Sequence, residues 1–145
     1  MKITTTIVIE RPVDLVASYA GDPSNAPEWC RRIESAEWQT DPPITLGSQI
    51  TFHARVMGKR LVYSSEVVEF TPGEQVATRT ARGPFSIDTT YTWRAVGNRV
   101  THMTLRNHAE PKGFSRLIAP MVTIVMRRAM HRELAQLKHV LELRR

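Results

Sequence analysis

The sequence predicts an α+β fold, an antiparallel meander with one face covered by a long helix. Three observations point there. From Ile33 to Arg106 almost every residue falls in an alternating or β-branched run. These runs are broken only by short turn-forming clusters: DPP at 41–43, GK at 58–59, TPGE at 71–74, RGPF at 82–85 and GN at 97–98. Helical periodicity is confined to two short stretches near the start and to residues 113–143 at the end. A sheet with one apolar face must bury it, and the final helix is the element available to do so.

The elements follow in order. Ile3, Ile7 and Ile9 alternate with Thr4, Thr6 and Val8, which gives a strand over 2–10. Pro12 suits the first turn of a short helix, VDLVASYA. Asp22-Pro23 opens a second short helix that runs through Trp29, with its length limited by Pro27. Six strands and the long helix complete a chain whose 145 residues suit a single domain, 1–145.

Hairpin register sorts the side chains. Closing the Gly58-Lys59 turn with two residues sets Val56 opposite Leu61, Ala54 opposite Tyr63, Phe52 opposite Ser65 and Ile50 opposite Val67. Carried through the next turns, Val67 meets Thr78, Ser65 meets Thr80, Thr80 meets Ile87, Thr78 meets Thr89 and Val76 meets Tyr91. Keeping Met103 and Leu105 inside requires a three-residue loop at 97–99 with a bulge. The inner face then holds Phe52, Val56, Leu61, Val67, Val76, Phe85, Ile87, Trp93, Met103 and Leu105. Among them stand seven uncharged polar residues: Tyr63, Ser65, Thr78, Thr80, Thr89, Tyr91 and Asn107. His53, Arg55, Glu66, Arg79, Asp88, Arg94, His102, Arg106 and His108 face outward. Glu69 has inner parity, but lies close enough to the TPGE turn for a bulge to reverse it. Buried, it would be the best general-base candidate. Threonine favours strands and a sealed core absorbs some hydroxyls locally, but seven on one concave face require many partners. A hydrated or ligand-filled cavity supplies them.

The stretch LIAPMVTIVM, Leu117 to Met126, bears on the same question. Ile118, Val122, Met126, Met130, Leu134, Leu137 and Leu141 form one helical seam for the sheet, while Arg127, Arg128, Arg132 and Lys138 face water. Leu117, Met121, Ile124 and Val125 lie off the seam, so the first half of the helix is apolar nearly all round. Core, cavity wall, homodimer contact and membrane-surface patch all remain open for it. Pro120 marks either a kink or the helix start.

Composition narrows the function classes. No apolar run approaches the roughly 18 residues of a transmembrane helix, and MKITTTIVIERP lacks the uninterrupted apolar core of a signal peptide. With Cys30 the only cysteine, there is no internal disulfide framework, and a cytoplasmic location is expected. The net charge of +6 and pI near 10.1 allow an anionic partner, RNA or acidic lipid, but no run reaches five like charges. No specific nucleic-acid partner is therefore expected. GxSxG, HExxH, Walker and dinucleotide signatures are missing from the sequence. The five histidines, His53, His102, His108, His131 and His139, do not converge, so neither a metal nor a cofactor is expected. Cys30 beside Trp29 reads as a small buried filler.

Several segments together resemble the SRPBCC superfamily, the START-like or helix-grip proteins, and within it the polyketide cyclase/dehydrase-like branch. They are IVIERPVDLVASYAGDPSNAPEW, LGSQITFHARVMGKRL, YSSEVVEFTPGEQVATRTARGPFSIDTTYTW, NRVTHMTL and the final helix, which span essentially the whole chain. The resemblance implies a seven-stranded curved antiparallel sheet gripping the C-terminal helix, with the two short helices closing one end. It also implies a deep cavity for a hydrophobic or amphipathic small molecule. Lipid carriers, plant hormone and allergen proteins and aromatase/cyclases share this fold, and no universal catalytic motif carries over.

Three functions are compatible with these residues. Foremost is binding of a mostly uncharged lipid- or polyketide-like molecule by Phe52, Tyr63, Ser65, Thr78, Thr80, Thr89, Tyr91, Trp93, Asn107, Met121 and Val125. Glu69 aside, the inner parity carries no charge to match a carboxylate or phosphate. The alternative is a cyclase or dehydrase in the same cavity, where Tyr63, Tyr91 and Ser65 polarise carbonyls; no catalytic residue is assigned. The third is a protein- or RNA-interaction module using the basic surface.

Overall fold

The computed structural model describes residues 2–56, 58–83, 86–109 and 119–143. Strand β1 (Lys2–Ile9) leads into α1 (Val13–Ala20), a 3₁₀ turn at 23–25 and α2 (Ala26–Trp29). Six strands follow: β2 (Ile33–Trp38), β3 (Gln49–Val56), β4 (Lys59–Thr71), β5 (Gln75–Arg82), β6 (Ile87–Gly97) and β7 (Val100–Ala109). The last element is α3 (Ala119–Leu143). The sheet has seven strands in the order β1-β7-β6-β5-β4-β3-β2, every neighbouring pair antiparallel. This is the expected α+β helix-grip architecture.

Local chemistry explains the short elements. Pro12 precedes α1 in extended conformation, and the Asp22 carboxylate accepts the Ser24 amide at 2.9 Å to start the 3₁₀ turn. In α3, Pro120 lies in the first turn described. The expected helix over 113–118, with Leu117 and Ile118, lies outside the described residues, as do Phe85 and its inner-face assignment.

Register is preserved in parity and corrected in detail. At the first hairpin Val56 pairs with Lys59, Ala54 with Leu61 and Phe52 with Tyr63, two residues off the expected partners. Gly58, at φ +80°, takes the second central position of the turn, where a left-handed residue is favoured. A shift of two leaves every side chain on its expected face. Downstream, Val67 pairs with Thr78, Thr78 with Thr89 and Val76 with Tyr91, as the sequence predicts. The bulge before the last turn lies between Ala95 and Gly97, and Gly97 pairs with Val100, so the loop is two residues rather than three. Trp93 then meets Met103, and Thr89 meets Asn107.

A second bulge, between Val67 and Glu69, removes Glu69 from the inner face. Its carboxylate accepts Gln75 Nε2 at 2.6 Å at the surface. The extra residue lets Phe70 pack against the core while the charge stays in water.

The core lies between the concave face and α3. Met130, Leu134 and Leu137 are completely buried, as are Ile9 and Met103. Of the roles open for the apolar stretch before Arg127, core does not apply to three of its described residues: Met121, Ile124 and Val125 are 63%, 52% and 36% exposed. The helix is sealed toward its second half, where a row of leucines meets the sheet.

Candidate functional site: a cavity between sheet and helix

Between the inner face of the sheet, α2 and α3 lies a cavity of about 140 Å³. Its sheet wall carries Phe52, Tyr63, Ser65, Thr78, Thr80, Thr89, Tyr91 and Asn107, eight of the eleven residues expected there. They share one face because the paired stretches of β3 to β7 that carry them keep a common parity. Ile50, Val76 and Leu105 fill the spaces between, and Trp29 closes the α2 end.

The other three expected residues lie elsewhere. Trp93 is buried in the core on the far side of Gly21, beneath α1, and lines an outer groove. Met121 and Val125 face outward on α3; Met126, one residue further on, lines the cavity instead. The 100° step per helical residue decides this, and the seam reading had already assigned Met126 inward.

The polar groups divide into satisfied and free. Thr89 Oγ1 donates to Asn107 Oδ1 at 2.7 Å, and Asn107 Nδ2 contacts the Met130 sulfur at 3.3 Å. Thr80 Oγ1 exchanges two hydrogen bonds with the Ile87 backbone, each 3.2 Å. The hydroxyls of Tyr63 and Tyr91 have no hydrogen-bond partner among the described residues. Burial, with smaller contributions from Cys30 and Glu133, pushes the Tyr63 phenol from 10.0 up to about 12, and burial raises Tyr91 as well. Both are therefore protonated donors near neutral pH. Tyr91 also sits edge-on to Trp29, ring centres 6.0 Å apart at 62°, and Phe52 lies 5.5 Å from Tyr63.

The expectation of an uncharged inner wall is corrected by an ion pair. Arg32, in the connection from α2 to β2, meets Glu133 of α3 through Nε to Oε2 at 2.6 Å and Nη2 to Oε1 at 2.9 Å. Glu133 is 4% exposed, and both residues line the cavity. The Cys30 thiol donates to Glu133 Oε2 at 3.2 Å, and Arg32 Nη1 touches the Met126 sulfur at 3.5 Å. Burial pushes the Cys30 thiol from 9.0 up to about 12, reinforced by the Glu133 carboxylate. Burial opposes the charge on Arg32, but Glu133 and its neighbours more than offset it, and the guanidinium stays protonated. One signal for this pair was present in the sequence. Glu133 lies three residues after Met130 and four before Leu137, an acid set against an apolar seam. Its partner, 101 residues away, had no such signal.

His102 pairs with Arg94 on the outer face, and among the described residues no histidine lines the cavity. Among the described residues, no three His, Cys, Asp or Glu side chains come together as a metal site.

The fold has counterparts in known proteins. A family model described as polyketide cyclase / dehydrase and lipid transport matches residues 1–142. The chain belongs to this family. Among solved structures, a START superfamily protein from Mycobacterium smegmatis is similar at TM-score 0.85 and 16% identity, covering 98% of this chain and 97% of that one. A Thermus thermophilus protein gives 0.84 at 19% identity over the whole of both chains. The Zhui aromatase/cyclase from Streptomyces sp. R1128 gives 0.82 at 17% identity, covering 99% of this chain and 94% of that one. At these identities the likeness is one of fold. No curated protein matches the chain. Among the described residues, no helix is long and apolar enough to cross a membrane.

Proposed function

We propose that the cavity binds a compact, uncharged or weakly polar molecule that carries a hydrogen-bond acceptor on an aromatic or polyketide-like frame. The observation that carries this reading is the pair of partnerless phenols, Tyr63 and Tyr91, in an otherwise largely apolar wall. Each is a protonated donor on the cavity wall, and a ligand acceptor placed there would add a hydrogen bond. The ion pair does not argue for an anionic ligand. Arg32 already spends two N–H groups on Glu133, and a ligand carboxylate would meet the Glu133 charge. Size argues for a small molecule: a cavity of about 150 Å³ holds one benzene ring, close to the 140 Å³ here.

The test is displacement of a neutral fluorescent probe. Changing Tyr63 and Tyr91 to Phe keeps the shape and removes both hydroxyls, so an acceptor-bearing competitor loses about 0.5–1.5 kcal/mol per bond, roughly two- to tenfold. Met126→Trp fills the cavity and excludes probe and competitor alike. If both variants fold and bind as the parent does, the ligand site is elsewhere.

A second reading is turnover of the cyclase or dehydrase kind. It is favoured by a carboxylate, Glu133, within the same cavity as two phenol donors. Glu133 would take the proton and the phenols would stabilise the resulting enolate oxygen. Under this reading Glu133→Gln abolishes conversion of short poly-β-ketones while leaving their binding measurable; unchanged conversion would remove it.

A further inference from the structure

We propose that the outer face of α3 from Met121 to Arg132 docks the protein on an anionic lipid bilayer. Met121, Ile124 and Val125 are 63%, 52% and 36% exposed, an apolar cluster on the outer face of the helix. Arg127, Arg128 and Arg132 follow it, all exposed. Met121, Val125, Arg128 and Arg132 are spaced four, three and four apart, so they form one stripe about 16 Å long. No acidic residue occurs between Ala119 and Arg132. The next one, Glu133, is turned inward and held by Arg32.

The charge pattern selects the occupant. A second copy of this chain seated on the same face would bring its three arginines toward these three. A nucleic acid would satisfy the arginines and leave the apolar cluster in contact with water. An anionic bilayer takes both. Its acyl boundary accepts Met121, Ile124 and Val125, and its phosphates accept the guanidinium groups. The apolar residues lie toward the N-terminal end and the arginines toward the C-terminal side, so the helix tips its N-terminal end into the membrane. On its inner side the same part of α3 carries Met126, which lines the cavity and touches Arg32. Docking therefore sets the helical wall of the cavity against the bilayer, whichever molecule the cavity holds.

The experiment is co-sedimentation of the full chain with phosphatidylcholine vesicles, with and without phosphatidylglycerol, at about 0.1 M salt. Binding is expected only with the anionic lipid. Arg128→Glu with Arg132→Glu should weaken it by roughly twenty-fivefold or more, at about fivefold per arginine lost. Ile124→Asp should weaken it by about fivefold through the apolar contact. Arg94→Glu with Arg106→Glu makes the same charge change on the outer face of the sheet and should stay within about twofold. Circular dichroism checks that each variant folds. Equal loss from the two charge pairs would reduce the effect to net charge and overturn the proposal, as would no binding to anionic vesicles. A dimer in sedimentation velocity that Ile124→Asp dissociates would assign the face to a second copy. Binding to duplex nucleic acid but not to vesicles would assign the arginines to that polymer.

Discussion

The Arg32 guanidinium grips the Glu133 carboxylate through two parallel hydrogen bonds of 2.6 and 2.9 Å, joining residues 101 apart in sequence. The pair ties the end of the α2 segment to the middle of α3 across one end of the cavity. Removing one partner leaves the other charge in low dielectric. Arg32→Met should therefore cost about 3 kcal/mol or more in urea unfolding, because Glu133 is almost fully enclosed. The double change Arg32→Met with Glu133→Leu should cost clearly less than the sum of the single changes. Additive losses would mean that the two groups do not act as a pair.

Cys30 should make the protein sensitive to alkali. Its thiol is raised from 9.0 to about 12 in the fold, first by burial and then by Glu133. The unfolded chain therefore releases this proton at lower pH than the native one. The associated stability is complete below pH 9.0 and lost as pH rises toward about 12. Tyr63 adds a second loss that begins at 10.0. Cys30→Ala should move the onset of alkaline destabilisation up toward that second window, as measured by thermal unfolding across pH. In the native state, disulfide exchange reagents near pH 8 should label Cys30 roughly a thousandfold more slowly than a free thiol. Rapid labelling of the folded protein would contradict the enclosed thiol.

Gly83 should resist substitution through its effect on Tyr63. It has φ +152°, and a Cβ built there would lie 2.7 Å from Tyr63 Cβ. Gly83→Ala should cost about 1–3 kcal/mol and displace the Tyr63 ring. Because Tyr63 lines the cavity, probe affinity should change together with stability. A neutral effect in both measurements would show that this approach is not close.

A smaller effect belongs to the end of α3. Glu142 accepts the Glu10 amide at 2.9 Å and Lys138 Nζ at 2.6 Å. Partial burial raises its pKa, but these bonds outweigh that and hold it below 4.5. The clasp is thus intact above that value and is released as pH falls through the lower native pKa. Protection of the Glu10 amide, its exchange rate taken relative to an unfolded chain at the same pH, should fall in acid, and Glu142→Gln should flatten that dependence.

The sequence by itself determined the element order, the antiparallel meander and the facing of the cavity polar residues. These follow from short-range rules: a period of two in strands, turn residues at fixed places, and parity that survives a register shift of two. Tyr63, Thr78, Thr89, Tyr91 and Asn107 were legible for that reason. Tertiary structure alone decided which end of α3 is buried, and so turned Met121 and Val125 outward. It also placed Trp93 beneath α1 rather than in the cavity. The side of Glu69 depended on one extra residue in β4, which the TPGE turn permits but does not require. The charged pair depended on the approach of two segments far apart in the chain. An arginine and a glutamate are each stable in water, and each tolerates burial only with the other in place. No local pattern encodes that requirement, so the ion pair in the cavity appears only once the helix is laid across the sheet.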